Sequence, residues 1–124
     1  MSILRRTDGW EVDQIGETLV FGFTEEMEQE SFGDEAWREY TETLEQDTVC
    51  AVVTVVDISE PFDASTFDVW ARSGEVAVQH GVERWAVVGD QLKRMSTISQ
   101  LRRPGLAVRG FDDRDAAIEW ATEA

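Results

Sequence analysis

Lysine, histidine, cysteine and proline are almost missing from this sequence, and each scarcity excludes something. Cys50 is the single cysteine, so no disulfide can form within the chain. With one cysteine and one histidine, His80, the usual Cys/His zinc sets cannot be assembled. A Ser-His-Asp triad would have to use His80, and the chain holds no Gly-x-Ser-x-Gly elbow. Neither glycine-rich phosphate-loop pattern occurs. No apolar run nears the roughly 18 residues of a membrane span, and Met1 to Arg6 lacks an apolar signal core. The expectation is a cytoplasmic protein without a membrane span. Basic residues are also few, 11 against 26 acidic, for a formal charge of −15. That disfavours nucleic acid and anionic membrane as partners, since both require a basic face.

What the sequence does hold is core material. Hydrophobic residues make up 42% of the 124, with five Trp, enough for one α/β domain and too much for a disordered chain. Ten of the 11 basic residues are arginine and only Lys93 is lysine. A carboxylate surface this dense repels itself at low ionic strength, whereas molar salt shortens the Debye length to about 3 Å and removes the penalty. The composition points to adaptation to a salt-rich cytoplasm. Cys50 lies in the apolar run Val49–Val53 and is expected to be a buried, inert thiol. His80, beside Gly81, is expected to cap a helix end.

Along the chain, strand and helix periodicities alternate. Trp10–Ile15 and Thr18–Phe23 read as two strands joined by a Gly16-Glu17 turn, an antiparallel hairpin. Residues 24–47 carry ten acids and one base, Arg38. Ser31-Phe32-Gly33-Asp34 fits a capping box there, with Ala36, Trp37, Tyr40 and Leu44 on one helical face. Val49–Val56 is apolar almost throughout, as in a central strand covered on both faces. A second helix is expected from Ser65 to His80, with Phe67, Trp70, Ala71, Gly74 and Val78 facing inward. Arg84–Gly89 is the next strand. Between Asp90 and Arg103 the apolar residues Leu92, Met95, Ile98 and Leu101 recur every three positions, so they drift around a helix instead of holding one face. Leu106–Arg109 is the last strand, and Asp112 or Asp113 caps a final helix with Ala116, Ala117, Trp120 and Ala121 turned inward. The expected order is β-β-α-β-α-β-α-β-α, an α/β mixed sheet of about five strands with helices packed on it. Residues 1–9 would be an extension and 10–124 the domain.

Two segments carry a resemblance: Arg84-Trp85-Ala86-Val87-Val88-Gly89-Asp90, and Val108-Arg109-Gly110-Phe111-Asp112-Asp113 followed by Ala116-Ala117-Ile118-Glu119-Trp120. They are similar to the SpoIIAA-like family, a branch of the STAS (sulfate transporter and anti-sigma-factor antagonist) fold, and the element order matches from Trp10 onward. The resemblance implies a single STAS-like domain with a non-enzymatic regulatory or ligand-binding role. In the anti-sigma antagonists of this fold an Asp-Ser-(Ser or Thr)-Gly turn opens the second helix, and its first Ser is phosphorylated. The corresponding segment here is Asp63-Ala64-Ser65-Thr66. Ala64 stands at the acceptor position and Ser65 one residue later, so the resemblance carries no phosphorylation switch over intact.

Two places remain as candidate sites. Asp57 and Ser59 follow one central strand and Asp90 the next, at the carboxyl rim where open α/β sheets bind ligands. Two carboxylates there suit Mg²⁺ and phosphate chemistry, although Asp also caps turns routinely. A receiver-type site would further need a lysine at the end of the last strand, where Arg109-Gly110 stands. Residues 90–103 hold Lys93, Arg94, Arg102 and Arg103 against Asp90 alone. With Met95, Ile98 and Leu101 as adaptable apolar contacts they form a candidate docking patch for an acidic partner or anionic headgroup, unless the arginines pair with the chain's own carboxylates. The expected function is therefore a non-catalytic, cofactor-free module acting through a protein partner, a homodimer included, or a small apolar ligand. The alternatives are a Mg²⁺-dependent phosphate handler at Asp57/Asp90, or an apolar-ligand carrier with a cavity beneath segment 90–103.

Overall fold

The computed structural model describes residues 2–7, 10–24, 35–46, 48–57 and 64–123. Ten elements follow in order: β1 (Ser2–Thr7), β2 (Trp10–Ile15), β3 (Thr18–Thr24), α1 (Glu35–Gln46), β4 (Ala51–Asp57), α2 (Ala64–Gln79), β5 (Arg84–Val88), α3 (Gln91–Leu101), β6 (Ala107–Phe111) and α4 (Arg114–Thr122). From β2 onward this is the order read from the sequence. Residues 2–7, expected as part of an extension, instead form a sixth strand, antiparallel to β2 in the register Ser2↔Ile15 to Thr7↔Trp10.

The sheet runs β1-β2-β3-β4-β5-β6, in chain order. Its first three strands are antiparallel, and β3 to β6 are parallel. Gly16 supplies the positive φ of 60° that a two-residue hairpin between β2 and β3 requires. Each parallel connection crosses over through a helix. When the strands are laid down in order with crossovers of one hand, successive helices fall on the same face. That is the arrangement found. Tyr40 and Leu44 of α1, Trp70 and Ala77 of α2 and Leu101 of α3 share one core with Phe21, Val52, Trp85 and Val87. The other face is covered by α4, whose Ala117 and Ala121 pack on Val20, Val53, Ala86 and Val88. β4, buried on both sides, shows the continuous apolar run expected of it.

Helix faces depart from expectation where spacing alone misplaced them. In α2 the buried positions are Thr66, Trp70, Ser73, Gly74 and Ala77. Val78, expected inside, is exposed because Gly74 and Ala77 let α2 sit closely on its neighbours and turn position 78 outward. An added Cβ on Gly74 would lie 3.1 Å from the Leu101 carbonyl oxygen and 3.0 Å from Arg103 Nε, which fixes how closely α3 approaches. The helix ends at Gly81, in the left-handed region with φ 86°, and His80 sits exposed at that terminus. Trp120, expected inward, is half-buried: its ring lies tilted against Phe111 at 5.6 Å, with the Arg84 guanidinium above it. Arg84 also donates to the Trp120 and Glu123 carbonyls, closing the end of α4. Cys50 is only half-buried, ahead of β4 rather than within it, and donates to Glu17 Oε2 at 3.0 Å. That hydrogen bond, then burial and the charges of Glu17 and Glu83, push the thiol pKa up, which keeps it protonated and unreactive.

Candidate functional site

The described structure places an aromatic cavity between the sheet and helices α1 and α2. Strand alternation sends Phe21 and Phe23 of β3, Thr54 of β4 and Trp85 of β5 to the same face. Helical spacing brings Trp37 and Tyr40 down from α1, and Val69, Trp70 and Ser73 from α2. The cavity leaves about 30 Å³ in which the centre of a water-sized group can move, and about 310 Å³ of empty space when the open mouth is counted. The first figure is room for two to three waters, by the roughly 10–15 Å³ that one water needs.

The rings lock one another. Phe21 and Phe23 stack with centroids 5.9 Å apart, Trp70 stands edge-on to Phe23 at 5.7 Å, and Tyr40 meets Phe21, Trp37 and Trp85 at 5.8–6.0 Å. The hydroxyls of Tyr40, Ser73 and Thr54 and the Trp85 indole N–H are engaged with the protein, whereas the buried Trp70 Nε1 makes no hydrogen bond among the described residues. Tyr40 donates its hydroxyl to the Ser73 carbonyl at 2.6 Å, tying α1 to α2. Ser73 donates to the Val69 carbonyl at 2.7 Å, and Trp85 Nε1 donates to Thr54 Oγ1 at 3.1 Å. Burial holds the Tyr40 phenol far above its ordinary pKa, so it stays neutral throughout the physiological range. At the mouth, the Arg72 guanidinium of α2 lies 4.6 Å above the Trp37 ring. No charged side chain lines the cavity itself. A mainly apolar group suits this wall of six rings without a charged side chain.

The two sequence-derived sites come out differently. Asp57 is exposed at the end of β4, and the β4–β5 register sets it level with Asp90. Asp90, however, is the N-cap of α3, and its Oδ1 accepts the Lys93 backbone N–H at 2.9 Å. Among the described residues, no three His, Cys, Asp or Glu side chains converge as a metal site would require. Ser59 lies outside the described residues, as do the Ser31–Asp34 capping box and Asp63. Ser65, expected to open the second helix, falls inside α2, which already begins at Ala64.

The docking patch does not assemble as expected. Asp90 as cap sets the rotation of α3, so that Lys93, Thr97 and Leu101 face inward and Lys93 is only 4% exposed. Arg94 is paired with Asp112, and Arg103 folds back to donate to the Gln100 and Leu101 carbonyls. Arg102 remains exposed, and Met95 is open to solvent as the patch required. The cavity expected beneath residues 90–103 is found instead under α1 and α2. The sequence signal for it was there: aromatic residues two apart on β3, and others on the inner faces of α1, α2 and β5. Core-filling rings and cavity-lining rings give the same pattern in a sequence, so they read as core.

With this geometry in place, comparison with known proteins gives one result. The family model described as SpoIIAA-like matches residues 3–122, which takes in β1 and nearly the whole chain. No curated protein and no solved structure matches it.

Proposed function

Since the chain belongs to the SpoIIAA-like family, we propose that it is a non-catalytic regulatory module whose state is set by a small apolar ligand seated in the cavity between the sheet and α1–α2. The observation carrying this reading is the wall itself: six aromatic rings, no charged group, and hydroxyls already bonded within the protein. Such a wall offers neither a nucleophile nor a general base within a solvent-excluded site, which supports binding over turnover. The Tyr40–Ser73 bond is where occupancy would be felt, because it spans the two helices above the cavity. A ligand too large for the open space has to press on α1 and α2 and strain that bond, giving the fold a bound and a free form. The phosphate-handling alternative is less well supported, since the Asp90 carboxylate is committed to the α3 cap.

Extraction of the purified protein into organic solvent, followed by mass spectrometry, tests the proposal. The expected result is a small apolar molecule that is absent from a Val69→Phe variant, in which the larger side chain fills the mouth. Recovery of the same molecule from both proteins, or of none from the wild type together with no response of the protein to small apolar probes, would refute it.

A further inference from the structure

The 21 residues 91–111 contain five basic residues and not one Asp or Glu, so all 26 acids of the chain lie outside them. They form α3 and β6, the parallel edge of the sheet. The large hydrophobics that stand exposed among the described residues gather here as well. Leu92 is 69% exposed and Met95 61%, both on α3, and the exposed Val78 lies against Gly105 in the turn before β6. Arg102 and Arg109 are exposed, neither has a carboxylate partner among the described residues, and Arg109 lies over the Phe111 ring at 5.1 Å. β6 presents unused backbone besides. The Ala107 N–H turns inward to the Glu83 carbonyl, so the parallel ladder directs the N–H and C=O groups of Val108 and Gly110 away from β5. In a chain of 26 acids, residues 91–111 thus form an edge with no acid of its own, with exposed apolar side chains and backbone open for pairing.

We infer that the α3–β6 edge is a docking surface for an acidic protein segment that adds as a strand to β6, with its carboxylates on Arg102 and Arg109 and its apolar residues on Leu92 and Met95. Backbone pairing supplies affinity in such additions, and side chains set the choice of partner. Charge selects this occupant over two others. A second copy meeting the edge through a two-fold axis would set one basic strip against another, which is repulsive. An anionic membrane is a broad plane that would also meet the acidic remainder of the molecule, whereas a peptide segment meets the strip alone. The site is remote from the aromatic cavity in residues and in chemistry, so it stands or falls independently of the ligand proposed above.

The test uses the full chain and three end-blocked ten-residue peptides: aspartate alternating with valine, lysine alternating with valine, and aspartate alternating with serine. Binding is followed by backbone amide shifts and hydrogen exchange. The expected result is that the Asp/Val peptide alone slows exchange at Val108 and Gly110 and shifts Leu92 and Met95. Its affinity should fall about tenfold in Arg102→Glu/Arg109→Glu, and Leu92→Ser/Met95→Ser should weaken it independently, with both variants keeping the wild-type melting temperature. Equal binding of the lysine peptide overturns the proposal, as does protection elsewhere on the molecule. So would a dimer that buries residues 91–111 without peptide, or binding to phosphatidylserine vesicles in place of peptide.

Discussion

Trp85→Ala is the perturbation whose cost can be worked most fully from the structure. The side chain is 1% exposed at the centre of the larger core, with Tyr40 5.9 Å away and its Nε1 bonded to Thr54 Oγ1. Removing a buried Trp forfeits transfer energy and leaves a void, about 3–5 kcal/mol. The orphaned Thr54 hydroxyl, 1% exposed, adds about 1–3 kcal/mol unless water reaches it. For a chain of this length about 2.1 cal/mol/K per residue of unfolding entropy makes each kcal/mol worth roughly 4 °C, so a loss of about 4–8 kcal/mol lowers Tm by about 15–30 °C. Against a total of roughly 6–19 kcal/mol, that is enough to leave the variant marginal at room temperature. Urea denaturation followed by circular dichroism measures it. Two controls separate the terms. Trp85→Phe keeps most of the ring but loses the donor, for about 1–2 kcal/mol. Trp120→Ala, at a half-buried site, should cost clearly less than Trp85→Ala. Because the void joins an existing cavity, millimolar indole should restore part of the Trp85→Ala loss. A loss below about 1 kcal/mol would refute the placement of Trp85 at the core centre and of the cavity wall beside it.

Three further outcomes follow from the same structure. Gly74→Ala should destabilise by about 1–3 kcal/mol, because its methyl would meet the Leu101 backbone carbonyl; chemical denaturation reads this, and a neutral result would mean that α3 sits further from α2. The Tyr40 phenol has a folded pKa raised above its unfolded value near 10, so its contribution is complete below about pH 10 and lost above it at up to about 1.4 kcal/mol per pH unit. Melting curves from pH 9 to 11 should show that loss reduced in Tyr40→Phe, and an identical alkaline decline in both proteins would contradict the burial of the phenol. If the charge of −15 is a salt adaptation, Tm should climb steadily between about 0.1 M and molar KCl, beyond the range where simple screening saturates; a Tm already maximal at 0.1 M would dismiss it.

How much of this the sequence disclosed depended on how local the determining physics is. The hairpin at Gly16-Glu17, the doubly covered β4 and the order of elements from β2 onward follow from turn chemistry and periodicity, and they were legible. β1 was not, because Ile3-Leu4-Arg5-Arg6 shows no strict alternation and gains its place by pairing with β2. The outward turn of Val78 depends on how closely Gly74 lets α3 approach, a contact between residues far apart in sequence. On α3 the three-residue recurrence correctly signalled drift: Ile98 and Leu101 pack, while Leu92 and Met95 escape to solvent. The inward rotation of Lys93 was hidden, since a lysine at the third helical position reads as surface until Asp90 is known to be the cap. The cavity was hidden for the opposite reason, every one of its rings being a residue that a filled core would also use.

The most direct test of the central claim is the response of the tryptophan indole signals to a small apolar probe. Trp37, Trp70 and Trp85 line the cavity, whereas Trp120 stands on the opposite face of the sheet. In ¹⁵N–¹H spectra titrated with benzene, the signals of the three cavity tryptophans should shift together and saturate, while that of Trp120 stays in place. Val69→Phe should abolish the shifts without lowering Tm. Indole signals that move equally at all four positions, or cavity signals unmoved up to the solubility limit of the probe, would contradict a ligand site between the sheet and α1–α2.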